Sequence, residues 1–443
     1  MKKTAVRWLA SGVLMALVAA CGTPMNNPDA SGDAMVNSEA SMNGDAAMGS
    51  DSGGSDAAGE GGTAMCGPLE TDYQPRSAMM SHATWPACRS DNNMFQPFTP
   101  DEITSIARAT DFELLNANPN PVTDMMGMQI APAHPMPLFD ATRDPSMDEF
   151  RAAAAYYASN SVMSGLVERF ARRPDEHYPQ PAGAVVNAMT GEYDDHWCNT
   201  EANWMSARDY CVGPASLRPV MNAALAAGAM GGMGTPNRVH AARMEASLLW
   251  LMYASVYKES LSCLQDVADC DSSWGYYTVG NQRNAAMQKT LARYVQAIEP
   301  ETHQRIWDAL LAVHCWRELD GGLMAMPPVA ANRVMRERAR DQLDRALNRG
   351  MYAIVAARLR AYAQATSAGN MQVAAAHAGF IGVVAPLIAR ALETWVPTKY
   401  AATVNAAGMA NVTAAITALR GATLSAADAT RTADTLLAIF PCP

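Results

Sequence analysis

Apolar residues recur at helical spacing along most of the chain beyond residue 99, and period-two alternation is scarce throughout. The segment 242–260 (ARMEASLLWLMYASVYKES) is apolar almost all round between Leu248 and Tyr257, which predicts a helix buried on every side. Its ends carry Glu245, Lys258 and Glu259, so charge stands at the edge of a buried element. Thr235-Pro236 supplies its start signal, and its end is expected near Cys263. Further helices are expected at 99–116, 144–173, 215–228, 281–298, 301–319, 331–364, 371–391, 399–419 and 425–440. Thr99-Pro100-Asp101-Glu102 reads as a capping box with Pro at the first helical position, Ser425 caps the last helix, and Gly350 marks a place for a bend. Residues 118–145 hold too many prolines for a helix, and 262–277, with Cys263 and Cys270, reads as a loop.

The fold class is therefore all-α: a multi-helix bundle, as two packed helical bundles, stapled by disulfides. The folded part exceeds the ~250–300 residues at which single cores stop growing. The glycine-rich stretch GAMGGMGTP (228–236) is the natural seam between an N-terminal helical subdomain with Pro-rich loops, 66–235, and a C-terminal bundle, 236–443.

The first residues place that body in the cell. Lys2, Lys3 and Arg7 precede a short apolar run, Trp8 to Ala20, which makes 1–20 an export signal too short to span a membrane. Val18-Ala19-Ala20-Cys21 resembles the lipobox of bacterial lipoproteins. That resemblance implies lipidation of Cys21 as the mature N-terminus and a membrane partner through the lipid. Gly22 in place of Asp implies sorting to the outer membrane. Residues 22–65 carry Asp29, Asp33, Glu39, Asp45, Asp51, Asp56 and Glu60 with no Lys, Arg or aromatic residue. Such a composition does not fold, so 21–65 reads as the lipidated cysteine and a disordered acidic tether. Its random-coil reach is roughly 35–40 Å.

Lys and Arg number 33 against 43 Asp and Glu, with no basic stripe, so nucleic acid is not an expected partner. Of nine cysteines, the eight beyond Cys21 form an even set in an exported chain, which reads as four disulfides. Neighbouring cysteines suggest Cys66–Cys88, Cys198–Cys211 and Cys263–Cys270, leaving Cys315–Cys442. No CxxC, HExxH or GxSxG occurs, and Ser255-Val256-Tyr257-Lys258 lacks the partner motifs of a serine–lysine enzyme. Asp269 to Ser273 alternates like a calcium loop but has Trp274 and Gly280 where Gly and an acid are needed, and reads as a helix-capping loop. Met125, Met126, Met128, His134 and Met136 would suit Cu(I), yet the 30 methionines are spread through the chain as apolar filler.

Glu245 and Glu259 share one helical face, and His314 and Glu318 share another. If those faces meet, one His and three carboxylates gather as metal ligands do inside bundles. Ser273-Trp274-Gly275-Tyr276-Tyr277 and His314-Cys315-Trp316-Arg317-Glu318 resemble segments of the imelysin-like family, whose signature is GxHxxE. Here Ala312 replaces the Gly, and Arg317 stands where the Glu belongs, with Glu318 one residue late. The resemblance implies iron handling in the periplasm or at the cell surface. Two functions follow from this sequence. The first is a lipoprotein binding module with no evident catalysis and no cofactor, whose partner is an unidentified protein or small ligand. The second is imelysin-like capture or relay of iron or copper by Glu245, Glu259, His314 and Glu318.

Overall fold

Ser146 opens the first helix among the described residues of the computed structural model. Its Oγ accepts from the Glu149 amide at 3.2 Å while Glu149 Oε2 accepts from the Ser146 amide at 2.8 Å, a reciprocal capping box. The start expected at Asp144-Pro145 thus moves to Met147, and Asp144 accepts instead from the Arg238 amide at 2.7 Å. The structure describes residues 122–123, 129–130, 143–159, 166–182, 197–263, 267–278, 288–320, 330–399, 406–421 and 423–439. The export signal, Cys21, the tether, the helix expected at 99–116 and Cys66, Cys88 and Cys442 lie outside the described residues, as do the side chains of Cys315 and Glu318.

The described chain is all-α. In order it forms α1 (Met147–Ser159), α2 (Leu166–Arg172), α3 (Glu201–Ser206), α4 (Arg218–Ala229), α5 (Asn237–Ser262), α6 (Val267–Thr278) and α7 (Thr290–Ile298). There follow α8 (Pro300–Asp320), α9 (Ala330–Ser367), α10 (Met371–Thr394), α11 (Val396–Lys399), α12 (Ala406–Arg420) and α13 (Ala426–Ile439). One two-residue antiparallel pairing, Val122–Thr123 with Gln129–Ile130, precedes them. The central helix matches its expected bounds, and α9 continues through Gly350. A Cβ on Gly350 would stand 2.9 Å from Val295 Cγ2, so the missing side chain is what lets α7 lie against α9.

Other boundaries differ from the sequence pattern. A short helix, α3, forms between Cys198 and Cys211, and of the helix expected at 399–419 the described part is Ala406–Arg420. Asp269 to Ser273 lie inside α6 rather than in a loop. Asp, Ser and Gly are each up to about 1 kcal/mol worse than Ala in a helix. That helix, however, buries Trp274, Tyr276 and Tyr277 almost completely, worth about 1.5–3 kcal/mol for each large side chain. Burial wins. Two of the expected disulfides are present, Cys198–Cys211 with Cα atoms 5.5 Å apart and Cys263–Cys270 at 4.6 Å. The other two pairs involve atoms outside the described residues.

Helix α5 is the axle. It packs against α4, α6, α7, α9 and α10, which is why it needs no polar face. Phe150 and Leu225, before residue 235, share one core cluster with Leu248, Leu343, Ile388 and Leu436 after it. By length and composition α10 could cross a membrane, yet more than half of that apolar stretch is buried inside the protein, and the helix packs on α5, α9 and α12. Its approach to α5 depends on Gly379, where a Cβ would meet the Val239 carbonyl oxygen at 2.8 Å. Because that neighbour is backbone, Gly379→Ala should destabilise the protein by about 1–3 kcal/mol. Urea titration checks this, and an unchanged midpoint would mean that the two helices separate freely.

Candidate functional site

Pro174 ends α2, because a proline disfavours helical geometry at the residue before it. The chain then turns inward, tied by the Asp175 amide donating to Tyr210 O at 2.6 Å. Asp175 Oδ1 accepts from the His177 amide at 3.2 Å, an Asx-type turn that folds the imidazole back over its neighbour. His177 Nδ1 meets Asp175 Oδ1 at 2.8 Å and Nε2 meets Asp344 Oδ1, on α9, at 2.9 Å. The three side chains are 1%, 3% and 2% exposed, so this is a buried triad of charges.

Both ring nitrogens face carboxylates. A neutral imidazole has only one N–H, so satisfying both requires the imidazolium. Burial pushes the His177 pKa down, but the charges of Asp344 and Asp175 and their hydrogen bonds more than reverse it, to about 9. For Asp344, burial works upward, and Lys399 and His177 together hold it well below the usual carboxylate range. Lys399 Nζ binds Asp344 Oδ2 and donates to Tyr257 Oη at 3.3 Å. The ring lies flat between Tyr257, with centroids 3.8 Å apart, and Trp395 at 4.7 Å. Tyr253 Oη, 3.3 Å from His177 Nε2, donates to Asn348 Oδ1 at 2.7 Å, and Asn348 Nδ2 donates to Asp344 at 2.8 Å. Arg390 on α10 stands 4.0 Å from Asp175 and pairs with Asp209 at 3.1 Å. One non-helical segment is thereby fastened to α5, α9 and α10 and to Trp395, just before α11. With both nitrogens engaged, the imidazole has no free lone pair to act as base or ligand.

The residues expected from the sequence are placed elsewhere. Glu245 accepts from Tyr294 Oη at 2.6 Å and from Arg358 at 2.9 Å. Burial raises its pKa, against the opposing pull of Arg358 and the Tyr294 hydrogen bond. Glu259 pairs with Arg173 at 3.3 Å and Lys258 at 3.4 Å. Fourteen residues apart on the continuous helix α5, the two carboxylates are separated by about 21 Å along its axis, so one ion cannot bind both. His314 is buried on α8, where desolvation first and Arg317 second bring its pKa down to about 4. Arg317 donates to Cys263 O at 3.2 Å. Among the described residues no group of three or more His, Cys, Asp or Glu side chains is arranged to hold an ion. Ser255 Oγ donates to Leu251 O at 2.7 Å, and Lys258 turns to Glu259.

Sequence reasoning passed over His177, Asp175 and Asp344. The only local traces are the i, i+4 pairs Tyr253/Tyr257 and Asp344/Asn348, which place aromatic rings and polar groups on single helical faces. Comparison of the chain with protein-family models, with curated proteins and with solved structures yields no match.

Proposed function

We propose that this chain is an exported outer-membrane lipoprotein whose helical body serves as a binding module, without catalysis, held at the envelope by lipid on Cys21. The observation that carries the non-catalytic reading is the mutual engagement of buried ionisable groups. His177 has carboxylates on both nitrogens, Glu245 is held by Tyr294 and Arg358, and Glu259 by Arg173. Such a network supports a rigid scaffold that presents its outer surface to a protein or small ligand. The anchor rests on Val18-Ala19-Ala20-Cys21 after a basic and apolar leader, followed by an acidic stretch suited to a tether.

Mass spectrometry of the mature protein is expected to show a lipidated Cys21 at its N-terminus, and Cys21→Ser should leave an unlipidated precursor. A mature form beginning at any other residue would sink the anchor. Metal analysis of untagged protein tests the remaining reading. Stoichiometric iron or copper that disappears in both Glu259→Ala and His314→Ala would replace the binding module with an imelysin-like relay.

A further inference from the structure

Seven large apolar side chains stand exposed among the described residues, and four of them, Met147, Met230, Met233 and Met371, share one end of the molecule. Met230 and Met233 belong to the turn that joins α4 to α5. Met147, at the start of α1, brings its Sδ to 3.0 Å from where a Cβ on Gly231 would stand. Met371 opens α10, which runs parallel to α5. Gly379 meets Val239 near the start of α5, and Trp395 shares the His177 ring with Tyr257 near its end. Eight residues before Gly379, Met371 stands about 12 Å further toward the end where α5 begins.

Met233 carries two costs at once. Gly231, Gly232, Met233 and Gly234 all have positive φ, a region that glycine adopts freely and a residue with a Cβ does not. At φ 48° this methionine is strained, and at 71% it is the most exposed of the four. A strained apolar side chain in water gains the folded chain nothing, so its purpose is to be sought outside the chain.

Charge is balanced at the same end. No Asp, Glu, Lys or Arg occurs in 219–237 or in 361–389. The charged residues around Met147 pair off: Arg143 with Glu149 at 2.6 Å, Arg151 with Asp148 at 2.9 Å and Arg238 with Asp144 at 3.4 Å. Such an end suits a zwitterionic surface, since an anionic one repels a chain of net charge −10. The four side chains expose roughly 400–500 Å², a patch of the size that marks an interaction site. That is about half of the ~800 Å² per partner that a stable protein interface buries. A lipid surface needs no matching area, because flexible thioethers enter it one by one.

We propose that this end of the bundle lies on the zwitterionic surface of a bilayer, with Met147, Met230, Met233 and Met371 entering its interfacial layer. The choice of a bilayer rests on the lipid anchor proposed above, which keeps the body within reach of one.

Residue-resolved methionine oxidation tests this on the full-length mature protein, with and without phosphatidylcholine vesicles in excess. The anionic oxidant chloramine-T converts thioethers exposed to water into sulfoxides, which mass spectrometry locates. Met205 is the internal standard: it is half-exposed and lies on α3, near the opposite end, where Asp209 pairs with Arg390. Vesicles are expected to slow oxidation of Met230, Met233 and Met371 at least fivefold and to leave Met205 unchanged. Met230→Asp/Met233→Asp, at two exposed positions, should keep the helical circular dichroism spectrum and abolish the protection of Met371. Unchanged rates with vesicles would overturn the proposal, and lipid found on Cys21 in the same sample would leave the anchor standing. Protection without lipid on Cys21 would support this end and remove the anchor instead. Protection that grows with protein concentration when no vesicles are present would overturn the proposal by assigning the end to a second copy.

Discussion

Exchanging His177 for glutamine is expected to lower the free energy of unfolding by about 3–5 kcal/mol, the usual consequence of removing one partner from a buried ion pair. Glutamine can donate to one carboxylate but carries no charge, so Asp175 and Asp344 would remain buried without the imidazolium that bridges them, beside Arg390 and Lys399. It also removes a ring stacked between Tyr257 and Trp395, so a loss of packing is included in the effect. The charge component can be isolated by adding Asp344→Asn. Lys399, at 36% exposure, can turn to water when its partner is lost, so the double variant should recover part of the deficit. A double-mutant cycle built on chemical denaturation measures that coupling. If His177→Gln leaves the midpoint where it was, the triad contributes nothing to stability.

Alkali is expected to undo the same contribution without any mutation. The folded-state pKa of His177, about 9, lies above the 6.5 of an unfolded chain. A group raised in this way contributes fully below pH 6.5 and loses its contribution as pH climbs to about 9. The difference corresponds to about 3 kcal/mol. Asp344 has the opposite sign, since its depressed pKa gives a contribution present above about pH 3.8 and lost on further acidification. Stability should therefore stay level across the mildly acidic range and fall between pH 6.5 and 9, with the fall reduced in His177→Gln. Thermal melts of both proteins across that range provide the check. Parallel pH profiles would assign the alkaline loss to other groups.

The helical architecture was legible because helix periodicity is local. The bounds of α5 follow from Thr235-Pro236 at one end and Cys263 at the other, and the two observed disulfides join cysteines 13 and 7 residues apart. Where burial competes with propensity, as in α6, the local signal pointed the wrong way. The triad was invisible for a different reason. His177 and Asp344 stand 167 residues apart, and neither lies in a motif whose spacing announces the other. Glu245 and Glu259 stood out because they share a helical face, although their spacing of fourteen residues already implies a rise of about 21 Å between them. The sequence is silent about Arg358 and Arg173, which arrive from other elements.

That separation of 167 residues also sets a schedule. A chain is synthesised from its N-terminus at about 5–20 residues per second, so His177 emerges about 8–30 seconds before the carboxylate it will bind. Trp395 and Lys399 come later still. During this wait the imidazole is mostly uncharged at neutral pH, and it takes up a proton only when α9 and α11 have closed around it. Completion of the molecule is therefore registered near its beginning. A chain truncated before Trp395 would hold every residue of the 173–178 segment and still have no finished place to put it.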